Sequence, residues 1–290
     1  MTADRVERGF PHLDTVRAAL TALYRRLSAD GVAQFDAGLP PADVAIDADE
    51  ELYTAVQRVA AAIVAQLHLP QARMIVGFRD MEHAATVELE AGPEYFIELN
   101  SRFKQHRRDI GAALAHEITH VALHRLDLTF PGTRDNEILT DTVTTYLGAG
   151  WLLLDAFRQD AVSSQKLGYL TPEEFGYVLA KRAAVFAEDP APWFTSPQAY
   201  DAYTAGRKEA EADARRPPLA AAGRLARHRY AHDRRRGRAP SGAPYAFTPD
   251  APPRVSFACP TCFQQLRLPT GRGPLRARCA VCGAELACET

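Results

Sequence analysis

No apolar run in this sequence approaches the ~20 residues that a membrane-spanning helix needs, so no helical membrane anchor is expected. A dominant charge is lacking too: 34 Lys and Arg stand against 36 Asp and Glu, a formal net charge of −2. The chain as a whole shows neither the basic field of a nucleic-acid binder nor a strong pull toward membrane surfaces. Cysteine is scarce, with five residues in 290. Four of them fall in C-x-x-C pairs near the end of the sequence. That pattern favours metal binding in a reducing, cytoplasmic setting over a disulfide framework. Residues 1–10 are polar and charged, unlike a secretory signal.

The hydrophobic content of 47% permits a sizeable core, and the length fits one domain of average-to-large size plus a small module. The most informative stretch is Ala115-His116-Glu117-Ile118-Thr119-His120, an H-E-x-x-H pattern inside an apolar run over residues 110–123. A helix turns every ~3.6 residues, so His116 and His120 lie one turn apart on one face and can share a zinc ion. Glu117, beside them, is surplus as a ligand and suited to take a proton from an attacking water. A catalytic zinc needs a third protein ligand. Asn136-Glu137-Ile138-Leu139-Thr140-Asp141 supplies Glu137 for that place, with Asp141 one turn on to accept the outer ring N–H of a ligand histidine. The longer motif with Gly and a third His is ruled out, because Leu123 and Leu126 occupy those positions. His124 lies too far along the axis to share the metal and reads as a packing or hydrogen-bonding residue.

These five residues, His116, Glu117, His120, Glu137 and Asp141, resemble the gluzincin metallopeptidases. The run "AHEITHVALH" and the strand-like "YFIELN" before it are similar to the small ImmA/IrrE-like regulatory type. The resemblance covers about residues 73–154. It departs at Asp141, where that type often has Asn. It implies an α+β fold: a mainly helical zincin-like metallopeptidase domain with a small antiparallel sheet. It further implies hydrolysis of peptide bonds, and a peptide or protein substrate received as an added strand at a sheet edge.

Around this centre the periodicity predicts helices over residues 13–27, ended by Asp30-Gly31, and 50–67. Strands follow over 74–78, 85–89 and 95–99, the last two forming a hairpin through the turn at 91–93. Asn100-Ser101 caps the next helix, whose start is basic through Arg102, Lys104, Arg107 and Arg108 and reads as a solvated face. The helix carrying Glu137 runs to about Phe157, interrupted by Gly148 and Gly150, with Tyr146 facing away from the metal. Thr171-Pro172-Glu173-Glu174 forms a capping box opening a helix to about Ala187. Tyr169 or Tyr177 could donate to a developing oxyanion, although core or surface use is the ordinary role of each. Helices are expected over 197–214 and 219–230, and the Arg-rich stretch 215–238 reads as an exposed helix turning into a flexible linker.

Cys259, Cys262, Cys279 and Cys282 form C-x₂-C-x₁₆-C-x₂-C, the spacing of a closed, structural Cys₄ zinc site. The segment between the pairs reads as a hairpin, the whole as a β zinc ribbon, with Arg267, Arg272, Arg276 and Arg278 on its surface and Cys288 a free thiol outside the set. The expected division is residues 1–205 for the metallopeptidase domain with its N-terminal helices, 206–253 for an Arg/Pro-rich helical segment and linker, and 254–290 for the ribbon. A chain ending near Pro240 is expected to fold alone. The leading functional expectation is a cytoplasmic zinc peptidase with two zinc ions, one catalytic and one structural. The alternative is a nucleic-acid-linked regulator that binds nucleic acid or protein through the ribbon and the Arg-rich stretch, its H-E-x-x-H domain acting on a repressor or not catalytic at all.

Overall fold

A computed structural model describes residues 6–89, 94–159 and 164–290. It is α+β, mainly helical, with several small sheets. The two N-terminal helices are α1 (Leu13–Ala33) and α3 (Leu52–Gln66), separated by the single turn α2 (Pro41–Val44). Both bury the stripe that the periodicity marks: Val16, Leu20 and Leu23 on α1, Val56, Val59 and Ile63 on α3. On α1 the break falls at Ser28, whose φ of 65° is not helical, and one further turn carries the helix past Asp30-Gly31.

Strands β1 (Arg73–Arg79), β2 (Ala85–Val87) and β3 (Glu94–Asn100) form one sheet in the order β1-β3-β2. β2 pairs antiparallel with β3 as expected, but β1 pairs with β3 in parallel. The sheet is therefore mixed, not antiparallel. The chain leaves β1, places β2 beyond the central position, and returns β3 into the gap. Alternating apolar residues mark the buried face of each strand but not its direction or its neighbour. The turn expected at residues 91–93 lies outside the described residues. β2 ends as an edge strand.

Asn100 caps as expected, accepting from the Arg102 N–H, but the basic residues sit on two 3₁₀ turns rather than on the helix itself. Arg102, Lys104 and Arg108 are exposed, as a solvated face would be, with Lys104 over the Phe78 ring, whereas Arg107 is half-buried and donates to the carbonyls of Asp47, Ala48 and Glu50. Next come α4 (Ile110–Arg125), α5 (Thr133–Tyr146) and α6 (Gly150–Asp155). The single helix expected from Glu137 to Phe157 is thus two. Gly148 adopts φ 109°, which a side chain would resist, and at Gly150 a Cβ would meet Thr145 at 2.3 Å. A two-residue ladder joins β4 (Arg158–Gln159) to β5 (Ser164–Gln165). α7 (Pro172–Phe186) starts with the expected capping box and ends at Ala187, and α8 (Pro197–Ala214) packs along it.

The Arg-rich stretch departs most from expectation. Helix α9 runs over Arg224–Arg236 and not from Leu219, because Leu219 bridges to Cys288 and Ala220 N–H donates to the Ala287 carbonyl. Tyr230 anchors α9 against Tyr245 and Phe247. The stretch therefore holds a helix with an exposed face, as expected, but through Tyr230 it is packed on the ribbon and is not a flexible linker. The ribbon holds the sheet β6 (Tyr245–Thr248), β7 (Arg254–Ala258), β8 (Gln265–Pro269), and a second pair, β9 (Pro274–Arg278) with β10 (Glu285–Glu289). β8 and β9 do not form the expected hairpin with each other; each pairs across its own C-x-x-C turn.

Nor does the ribbon stand apart. Thr21 on α1 donates to the Cys262 carbonyl at 2.7 Å, and Lys181 on α7 to the Pro260 carbonyl at 2.9 Å. The Phe263 ring receives Arg17 at 5.4 Å and Lys181 at 4.9 Å. A chain cut near Pro240 would bare the α1 and α7 side of this contact and, by losing Tyr245 and Phe247, Tyr230 of α9, which runs against its folding alone. Among the described residues no helix is long and apolar enough to cross a membrane.

Candidate metal centres

Helix α4 is buried on nearly all sides, which its Ala- and Leu-rich sequence allows, and only His116, His120 and its last turn reach the surface. α5 lies against it, tied by a hydroxyl bond from Thr144 to Thr119 at 2.8 Å. This pairing brings Glu137 to the two histidines. His116 Nε2 is 3.2 Å from His120 Nε2 and 3.0 Å from Glu137 Oε2, and His120 Nε2 is 3.4 Å from the same oxygen. Donors held ~2.0–2.1 Å from one tetrahedral ion lie ~3.3 Å apart, so the three separations fit a single metal ion.

The outer atoms fix the rings in the matching tautomer. His116 Nδ1 is 2.7 Å from Asp141 Oδ1, a carboxylate oxygen that can only accept. His120 Nδ1 is 3.3 Å from Thr140 Oγ1, whose own hydroxyl donates to the Asn136 carbonyl. Both Nδ1 atoms therefore carry the proton, and both Nε2 lone pairs converge with Glu137 on one point. Burial works against charge on His116, but Asp141 and Glu137 outweigh it and push the ring up to about 10. Burial also opposes ionisation of Glu137, yet its bonds to the two histidines hold it at about 2. Both shifts describe a pocket that draws positive charge. Glu117 sits beside the set, buried, with its pKa raised chiefly by that burial.

Asp141 is fully buried, and its second oxygen accepts the backbone N–H groups of Tyr169 and Leu170. The loop can come this close because residue 168 is glycine, at φ 79°, where a Cβ would stand 2.7 Å from Asp141 Oδ2. Lys166 holds the same loop from behind, donating to the carbonyls of Gly168 and Leu170. Gly168→Ala combines a steric clash with a strained φ. It should lower stability by about 1–3 kcal/mol and, by displacing the carboxylate that orients His116, weaken metal binding ~10–100-fold. Thermal unfolding and competition with a chromophoric chelator measure the two effects.

The donors form the floor of a cleft of about 460 Å³, walled by β2, by Ala112 and Ala113 of α4, and by Leu153, Leu167 and Tyr169. Of the tyrosines, Tyr169 lines this cleft, whereas Tyr177 is buried and donates to Asp213 at 2.6 Å. Tyr146 is buried and paired with Tyr24 at 2.7 Å, away from the donors as expected. His124 is exposed in the last turn of α4, so the packing role expected for it is not there. The sequence reading missed His83, Thr140, Lys166 and Gly168. His83 lines the cleft from the β1–β2 loop, which Asn100 fixes by donating to the Met81 and His83 carbonyls. Only Thr140 carried a usable signal, three residues after Glu137 on the same stripe.

The second group is formed by Cys259, Cys262, Cys279 and Cys282. Each pair sits in the same kind of turn. The Cys259 N–H bonds to the Gln264 carbonyl and the Phe263 N–H to the Cys259 carbonyl; Cys279, Ala284 and Gly283 repeat the pattern. Phe263 and Gly283 supply the positive φ that both turns require. The sulfurs of Cys259 and Cys282, and of Cys262 and Cys279, are 3.6 Å apart, near the ~3.8 Å set by Zn–S bonds of ~2.3 Å in a tetrahedron. Cys288 lies outside the group as a free thiol, buried in β10, which pushes it up to about 11. Both clusters could hold a metal ion, and every residue assigned to them from the sequence is in place. Comparison of the chain with family models, with curated proteins and with solved structures finds no match.

Proposed function

We propose that this chain is a zinc-dependent peptidase of a reducing, cytoplasmic compartment, with a catalytic zinc on His116, His120 and Glu137 and a structural zinc on the four cysteines. The observation that carries the reading is the convergence of those three donors beside a buried carboxylate that takes no part in them, at the floor of an open cleft. A site that merely holds metal has no use for Glu117 in that place. When bound, zinc would supply Lewis acidity, lowering the pKa of a water and polarising the scissile carbonyl. Glu117 takes the proton of the attacking water and passes it to the leaving amine. Its burial, which raises its affinity for a proton, suits that shuttle. Asp141 and Thr140 hold the two rings in register. His83 and Tyr169 at the cleft wall are the groups available to donate to the developing oxyanion. The substrate would lie extended along the free edge of β2, bonding through its main chain.

Metal analysis and a broad combinatorial peptide screen test this reading together. The wild type should carry two zinc equivalents and cleave selected peptides until chelator is added. His116→Ala should lose one equivalent together with cleavage, and Cys279→Ala the other. Two equivalents retained in both variants would refute the assignment.

A further inference from the structure

The near-neutral total hides a division of charge. From residue 224 onward there are twelve basic and four acidic side chains, a net +8, which leaves −10 on the rest of the chain. Helix α9 concentrates this charge. Its solvent face presents Arg224, Arg229, Arg235 and Arg236 with His228 and His232, and no carboxylate. Asp233, the helix's one acidic residue, lies on the ribbon side and accepts the Tyr245 hydroxyl at 2.8 Å, besides a 3.4 Å contact with neighbouring His232. Arg227 turns to Glu289 at 3.2 Å. Among the described residues the arginines of the solvent face pair with no acid.

An ordinary solvated helix differs, and α8 provides the comparison. There Glu211 takes Arg207 and Arg215, and Glu209 takes Arg216. Arginine in the last turn of α9 suits the helix dipole, but Arg224 and Arg227 in the first turn oppose it, with no acid in that turn and no side-chain cap; Glu289 of β10 offsets Arg227 alone. Helix stability therefore does not account for them. The packing of α9 on the ribbon makes its face rigid and joins it to a module whose Arg267, Arg272, Arg276 and Arg278 are all exposed.

We propose that α9 and the ribbon it packs on bind the phosphate backbone of duplex DNA. Phosphate is the partner that several unpaired guanidiniums on one rigid face fit. The duplex is favoured over single strands because no aromatic ring is among the exposed large side chains from residue 224 on, so there is no platform for base stacking. B-form DNA is favoured over duplex RNA because a single regular helix fits its major groove, whereas the A-form groove is too narrow. The −10 on the rest of the chain repels the duplex and orients it toward this end.

Fluorescence anisotropy of the full-length, metal-loaded protein with a labelled mixed-sequence DNA duplex of roughly two helical turns tests this. Binding should weaken as salt rises from ~50 to ~200 mM, with a slope near −0.9 per phosphate contacted. Arg229→Glu/Arg235→Glu/Arg236→Glu should bind at least ~10-fold more weakly with a shallower slope. The triple change to Gln, which keeps helix propensity, should act in the same direction, and both should retain two zinc equivalents. Arg207→Glu/Lys208→Glu on α8 should leave binding unchanged. The proposal fails if the wild type does not bind at the lower salt, if the triple variants bind like wild type, if the α8 variant loses as much, or if single-stranded RNA, duplex RNA or a polyglutamate peptide binds more tightly than duplex DNA.

Discussion

Glu117→Gln is expected to keep two zinc equivalents and an unchanged unfolding midpoint, and to cleave peptide at least ~10²-fold more slowly, the usual scale for removing a general base. The substitution preserves size and keeps an oxygen facing the cleft, but the amide cannot take a proton. Metal should stay because the donor set closes without Glu117. Glu137→Gln should differ. Glu137 Oε2 lies within 3.0–3.4 Å of both histidine nitrogens, so an amide there weakens a ligand and lowers zinc occupancy along with the rate. Comparing kcat per bound zinc separates the two: for Glu137→Gln most of the loss should track occupancy, for Glu117→Gln none. A Glu117→Gln protein that cleaves at the wild-type rate would sink the proposed mechanism whatever its metal content.

Asp213→Ala is expected to destabilise the fold by about 3–5 kcal/mol, the cost of stranding a buried charge. Asp213 is 3% exposed. It meets Lys181 and Arg17 at 2.8 Å, Arg216 at 3.1 Å and the Tyr177 hydroxyl at 2.6 Å. Removing it leaves Lys181, itself buried, without its counter-charge. Burial opposes ionisation of Asp213, but Lys181 and Arg17 prevail and hold its pKa below the usual value. A depressed carboxylate contributes stability that is present above the unfolded value, ~3.9, and is lost as pH falls through the folded one. Denaturant titrations should therefore show wild type and Asp213→Ala furthest apart at neutral pH and converging below about pH 4. Equal stabilities at pH 7 would mean that the cluster is neutral to folding.

The parts of the site that lie on one helix were legible. His116, Glu117 and His120 follow from a spacing of one turn, and Glu137 with Asp141 from the same spacing on the next helix. The four cysteines were legible because their chemistry admits few other uses at that spacing. What could not be read depends on tertiary partners. The parallel pairing of β1 with β3 depends on where β2 is placed, and alternation is blind to that. Gly168 matters only because Asp141 stands above it, 27 residues away in sequence. Helix α9 is legible as an exposed helix but its docking is not, since one buried tyrosine carries its packing and the rings that receive Tyr230 lie beyond a proline-rich turn. Phe263 reads as filler in the C-x-x-C turn until Arg17 and Lys181 are brought to it.

The bond from Thr21 to the Cys262 carbonyl spans 241 residues, which sets an order of events during synthesis. Each metal cluster is local, its donors lying within residues 116–137 or 259–282, so each can assemble soon after its own segment emerges. The contact between α1 and the first cysteine turn can close only after nearly the whole intervening chain has been made. At ~5–20 residues per second that interval is ~12–48 s. For that time the face of α1 that will hold Phe263 stands open to solvent and to other chains, and the face of α7 does so for the last ~4–16 s of it. The late docking step is therefore where a nascent copy is most exposed to mispairing, and where a chaperone would have the most to protect.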